Sequence, residues 1–319
     1  MHIHLPNSAF LGNIDPFLRS LDLTDVEKLR ISSHKRWLSV HPMVLAMIAA
    51  LAQTVSKDSI SCEPFEAKSS HYFERIGLFE MLGVRSGISV NEHEPAGRFV
   101  PLTQIKDSQA LTRFIGDMIP LLHLASRYAE PIRYVVSELV RNVIEHSGSP
   151  HGAFVAAQYY PKSNSIRIGI CDVGVGIKKT INQAHVATTD LAAIRLALTP
   201  GITGTTAREG GTAQNAGAGL FFVKSLAAVN GDFFAIYSGT GFYKLMKKQP
   251  KRNILSADPF KDRHSAHDDL PSWPGTAVGI DMVLDETELF SALLDHIRDT
   301  YAKAVRERKR GRYKKPKFV

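Results

Sequence analysis

Glu138 and Asn142 stand four residues apart in the segment EPIRYVVSELVRNVIEHS. Around them Ile132, Val135, Val136, Leu139, Val140, Val143 and Ile144 recur at the three- and four-residue steps of a buried face, which predicts a helix over 131–146. At about 100° per residue the acid and the amide stack on one side of that helix, beside the apolar stripe rather than opposite it. A carboxylate there can accept a proton from water, and a neutral amide oxygen can ligate magnesium. The same spacing also describes an amphipathic helix with ordinary polar flanks, so the pair acquires meaning only from what surrounds it.

Three further stretches carry candidate chemistry. ICDVGVGI (170–177) ends an apolar run in Asp172, which could accept a hydrogen bond from an exocyclic amine such as that of adenine. Gly174 and Gly176 beyond it let the backbone adopt positive φ and pass close to a flat ring. A plain Asp–Gly turn would read the same. In NAGAGLFFVKSL (215–226), Gly217 and Gly219 lead into an apolar helix whose unpaired N–H groups and dipole suit phosphate, although a glycine-rich helix start can simply pack closely. Gly275-Thr276 opens the strand TAVGIDMVL, where a hydroxyl could stand near a base or merely favour the strand. TPGITGTTAREGGTAQ (199–214) is too polar and flexible for a core and reads as a lid over a ligand. Other nucleotide and metal signatures are missing: there is no GxxxxGK[ST], GVGI is not GxGxxG, and the 13 histidines form no HExxH or Cys/His quartet.

Taken in this order, ELVRNVIEH, DVGVG and GAGLFFV resemble the N box and two glycine boxes of the GHKL ATPase family, across about 120–285. The resemblance implies an α/β sandwich of the Bergerat type, with helices on one face of a mixed sheet and ATP with Mg²⁺ held between the helices and a lid. Glu138 would be the general base and Asn142 the magnesium ligand. Asp172 would read the adenine amine, with Gly174 and Gly176 along the base and Thr276 supporting Asp172 through water. Gly217 and Gly219 would wrap the phosphates, with Ile177 and Leu220 also among the nucleotide-binding residues. Lys224 and Arg208 are candidates for the γ-phosphate, though no motif fixes either. The family's phosphoacceptor histidine has no counterpart; His71 comes nearest and reads as the first turn of a helix.

The N-terminal part resembles, more faintly, a STAS domain: strand 28–33, helix 39–55, strand 59–65 and helix 69–82, the last capped by Ser69 or Ser70. The phosphorylated serine of that family would fall at Ser39, where Ser39-Val40-His41-Pro42 replaces the usual Asp-Ser-Gly, and Ser39 equally reads as a helix cap. These resemblances divide the chain into a STAS-like α/β module (1–100), a linker and helix (101–118), an ATP-binding domain (119–290), and a helix with a basic tail (291–319). Within the ATP-binding domain, strands are expected at 152–160, 165–172, 232–238 and 275–284, a helix at 219–230 stopped by Gly231, and an exposed insertion at 247–274.

With 319 residues, 44% hydrophobic and 22% charged, the chain has the composition of a globular protein, and no apolar run reaches the roughly 18 residues of a membrane span. Cys62 and Cys171 form no CxxC pair, and the N-terminus lacks a secretory pattern, so a reducing cytoplasm is expected. From Lys303 onward nine basic residues face one acid, Glu307, and this tail carries the whole net charge of +8. It is either a solvated terminus or a contact for nucleic acid or an acidic partner. The functional expectation is an ATP-Mg-binding regulatory ATPase or serine kinase acting on a protein partner, with a STAS- or anti-sigma-type network as the candidate and dimerisation open. The alternatives are a nucleic-acid-associated ATPase and an ATP-binding module without turnover.

Overall fold

A computed structural model describes residues 1–88, 98–124, 126–204, 206, 218–247, 255–284 and 290–313. In chain order the strands are β1 (His2–Leu5), β2 (Ser8–Ala9), β3 (Leu29–Ser33), β4 (Ser39–Val40), β5 (Ile60–Cys62), β6 (Phe99–Ile105), β7 (Ala153–Tyr160), β8 (Ser165–Asp172), β9 (Phe234–Gly239), β10 (Gly241–Leu245), β11 (His264–His267) and β12 (Trp273–Val283). The α-helices are α1 (Asp15–Arg19), α2 (Pro42–Ala52), α3 (His71–Arg75), α4 (Leu78–Leu82), α5 (Ser108–Leu121), α6 (Ser126–Asn142), α7 (Gly176–Ile181), α8 (Asp190–Ala197), α9 (Gly219–Asn230) and α10 (Phe290–Tyr313). The chain is of mixed α/β class, and none of its described helices is long and apolar enough to cross a membrane.

Seven strands form the main sheet in the order β11-β10-β9-β12-β8-β7-β6. Every neighbouring pair is antiparallel, so the expected mixed pairing is not found in this sheet. Tight connections explain this: Thr240 alone joins β9 to β10, and a turn ending in Asn164 at φ +41° joins β7 to β8. Among the described residues, parallel pairing is confined to two small N-terminal sheets, β1-β3-β5 and β2-β4.

Both faces of the main sheet are covered, not one. Val155, Ile168, Ile170, Ile236, Val278 and Ile280 join a core with α5, α6 and α9, while Phe154, Cys171, Tyr237 and Ala277 join a second core with the N-terminal segment. Residues 1–88 therefore do not pack as the separate module expected. Their central element, α2, is apolar on every side and all eleven of its residues are buried. A helix of that composition must be covered all round. It lies against a row of small residues that register aligns across four strands: Ala156, Gly169, Gly279 and Ala235. At Gly169 a Cβ would fall 2.0 Å from the Met43 amide nitrogen, so the helix start touches the strand backbone itself.

Other departures from expectation have local causes. His41, not Ser39, caps α2: its Nδ1 accepts from the Met43 N–H at 3.0 Å, and Ser39 lies in β4. The expected helix over 69–82 is broken by Gly77 at φ +84°, giving α3 and α4. Neither serine caps it through its side chain; the Ser69 hydroxyl instead accepts from the Leu38 N–H at 2.8 Å. Residues 99–105, expected as the end of one module and a linker, are the edge strand β6. The expected insertion at 247–274 contributes β11 and the buried side chains of Pro259, Leu270 and Trp273.

Candidate functional site

The segment carrying Glu138 and Asn142 is α6 as expected, but its last turn, Val143–Ser147, widens to π geometry before Gly148 at φ +60°. The DVGVG turn docks on that widened end. The Val175 N–H donates to the Ser147 carbonyl at 2.7 Å, and a Cβ at Gly174 would stand 2.1 Å from the same oxygen. Gly174 is thus required for docking the turn on α6 and is not among the residues lining the cavity described next, contrary to its expected place along the base.

A cavity of about 340 Å³ opens between α6, α7, α9 and the ends of β8 and β12. That volume suits a small-molecule ligand. Glu138, Asn142, Asp172, Gly176, Ile177, Gly219, Leu220 and Thr276 all line it. Ile170, Ile181, Ile202 and Val278 give it apolar walls. Gly217 and Arg208 lie outside the described residues, as does most of the expected lid; of the latter, Ile202, Thr203 and Gly204 line the cavity.

At one end Asp172 is only 2% exposed. Burial pushes its carboxyl up to about 7, against the pull of the backbone N–H groups of Gly174 and Thr276. Oδ1 accepts from the Gly174 N–H at 2.8 Å, and the Trp273 indole N–H donates to the Asp172 carbonyl at 3.3 Å. Thr276 faces Asp172 in register, yet its hydroxyl donates to Ser238 Oγ at 3.3 Å. Ser238 in turn donates to the Gly275 carbonyl at 2.6 Å and accepts from the Ile177 N–H at 2.9 Å. It ties the glycine turn to β9 and β12. The sequence holds no cue for Ser238, whose place follows only from the pairing of β9 with β12.

At the other end α6 meets the start of α9. A Cβ on Gly219 would lie 2.4 Å from Glu138 Oε2 and 3.7 Å from Asn142 Nδ2. Burial holds the Glu138 carboxyl above its ordinary value, opposed by Arg141 and reinforced by Glu145. The Asn142 amide nitrogen is buried with no hydrogen-bond partner among the described residues. An orphaned amide aimed at a cavity is costly unless a ligand completes it, and half a turn presents its oxygen at the same point. Among the described residues no cluster of three His, Cys, Asp or Glu could hold a metal alone, so a cation here would draw most of its ligands from a bound molecule.

Arg141, Glu145 and His146 also line the cavity, and sequence reasoning missed them. A signal existed for one: His146 continues the four-residue step from Glu138 through Asn142. Lys224 is a correction. Its side chain is fully buried, with Nζ 2.5 Å from Asp262 Oδ2, and it does not line the cavity. Five residues along a helix is a rotation of about 140°, which turns Lys224 away from the face that Gly219 presents.

No family model, curated protein or solved structure matches the chain.

Proposed function

We propose that this cavity binds ATP with Mg²⁺ in the manner of the GHKL ATPases, and that nucleotide state or phosphoryl transfer acts on a protein partner. One observation carries the reading. Four segments that are far apart in sequence, contributing Glu138 and Asn142, Asp172 and Gly176, Gly219, and Thr276, meet around one hollow in the size range of small-molecule sites. An apolar slot ends in a buried carboxylate, as an adenine ring with its exocyclic amine requires, while a helix start, an acid and an unsatisfied amide converge at the opposite end. Asp172 then accepts from the base, Asn142 supplies the protein oxygen to the metal, and the N–H groups at the start of α9 face the phosphates. Magnesium supplies charge neutralisation of the phosphates. Glu138, held more basic than a solvated acid, orients the attacking hydroxyl and takes its proton as the γ-phosphoryl group passes to that oxygen and ADP departs.

The test is turnover with labelled ATP-Mg, read by mass spectrometry for phosphate on water or on protein. Glu138→Gln is expected to reduce turnover at least 100-fold while changing nucleotide affinity less than threefold. Equal turnover in wild type and variant would remove Glu138 from the chemistry. No turnover in either, with binding intact, would leave a switch module that works by binding alone. Ser39 has no role within one chain under this reading, because it lies in β4, which leads into α2, and α2 packs on the sheet face away from the cavity.

A second reading attaches to α10. Lys303, Arg306, Lys309 and Arg310 are exposed along it, in the region that holds the chain's entire charge excess. This is a polyanion surface, and nucleic acid is the partner it fits. Replacing these four residues by Gln should weaken DNA or RNA binding and reduce the slope of log affinity against log salt by about 3. An unchanged slope removes nucleic acid from the account.

A further inference from the structure

The buried pair of Lys224 and Asp262 has a counterpart on the next turn of chain. Asp258–Asp262 form a short strap around a 3₁₀ turn at Pro259–Lys261. Asp262 holds Lys224 on α9, and the Lys224 ammonium also reaches the Ser256 carbonyl at 3.5 Å. Asp258 Oδ2 accepts from Arg195 on α8 at 2.8 Å, while its Oδ1 caps the turn by accepting from the Phe260 N–H at 3.1 Å. The Arg195 guanidinium lies 4.9 Å from the centre of the Phe260 ring. The strap is itself seated on the sheet: the Tyr243 hydroxyl donates to the Pro259 carbonyl at 2.7 Å, and the Phe260 ring packs on Tyr243 and His264.

Both helices so held reach the cavity. Ala197 ends α8, and Ile202–Gly204 follow it along the wall; Ala218–Leu220 begin α9 on the same wall. We infer that the strap sets the spacing between the end of α8 and the start of α9, and that Asp258 and Asp262 are positioning residues for the phosphate end of the site. This inference rests on the ATP reading above. The adenine end is built from β8, β12 and α7, which the strap reaches only indirectly, through the packing of Ala193 on Ile181, whereas the start of α9 meets Glu138 and Asn142 directly.

Asp262→Asn would leave a buried ammonium unpaired and threaten the fold itself. Asp258→Asn is the better variant, since it keeps the turn-capping oxygen and removes only a half-exposed ion pair, so its thermal midpoint should stay within about 2 °C of wild type. ATP-Mg affinity, measured by calorimetry on the full chain, is expected to fall at least fivefold, and adenosine affinity, measured by competition, to stay within twofold. A change in neither ligand, or an equal change in both, would overturn the strap while leaving the ATP reading intact. Failure of the wild type to bind ATP-Mg would overturn the ATP reading, and the strap's role with it.

Discussion

Asp172→Asn is expected to abolish ATP-Mg binding and, at pH 8, to raise the thermal stability of the protein. The two effects have opposite signs for one reason. The Asp at the end of β8 is almost wholly buried with no cationic partner among the described residues, and its carboxyl is held at about 7. A carboxyl whose folded-state value lies above its unfolded value contributes stability that is fully present below the unfolded value. That stability is lost as pH rises through about 7. The amide of Asn carries no charge, keeps an oxygen for the Gly174 N–H, and should recover roughly 2 to 4 kcal/mol at pH 8 but almost nothing at pH 4. Asp232, buried and also held at about 7, adds a parallel decline that the variant leaves in place. For binding the amide fails: it aims a donor where the adenine amine needs an acceptor, and a 100-fold loss or more is expected. Wild-type affinity should also weaken about tenfold from pH 8 to pH 6 as the carboxylate is protonated. Calorimetric titration and thermal melts at pH 4, 6 and 8 check all of this. A variant that binds ATP normally, or is destabilised at pH 8, contradicts it.

Gly169→Ala is expected to be the most damaging single methyl in the chain. The added Cβ would fall 2.0 Å from the Met43 nitrogen and 2.3 Å from its Cα, both backbone atoms of the α2 start. Neither can swing aside as a side-chain tip would, so the helix must lift from the sheet. Lifting it breaks the core that joins Phe154, Cys171 and Ala277 to residues 1–88. A loss of about 3 kcal/mol or more in urea unfolding is expected, at the upper end of overpacking costs. Gly116→Ala on α5 is the control: nothing lies within 4 Å of its Cβ, and the better helix former should gain a few tenths of a kcal/mol or more. Unchanged stability in Gly169→Ala would mean that the N-terminal segment is a separable module after all.

That interlock was partly written in the sequence. AFVAA is apolar at every position, and in SIRIGIC the small residues Gly169 and Cys171 alternate with isoleucines, which suits strands covered on both faces. Helix 42–52, apolar all round, was the piece that had to cover one of them. Each signal alone fits a second domain; the two together specify a second layer on one sheet. The site was legible where chemistry and backbone geometry coincide. Asp172 at a strand tip, Gly219 at a helix start and Glu138 with Asn142 one turn apart all came from local pattern, and all line one cavity. Contacts set by register or helix rotation were not legible. Ser238 reaches the glycine turn only because β9 pairs with β12, and Lys224 leaves the site by a rotation that residue type does not encode. Strand β11, HSAH, carries no apolar signal because a half-buried edge strand need not be apolar, and α7 and α8 lie in a stretch rich in Gly, Thr and Ala.

The most direct measurement is a crystal structure of the full chain with Mg²⁺ and a non-hydrolysable ATP analogue. The adenine amine should lie within hydrogen-bond distance of the Asp172 carboxylate, the metal on Asn142, and the phosphates against Gly219 at the start of α9. A nucleotide bound elsewhere, or a cavity that stays empty at saturating ligand, would contradict the assignment.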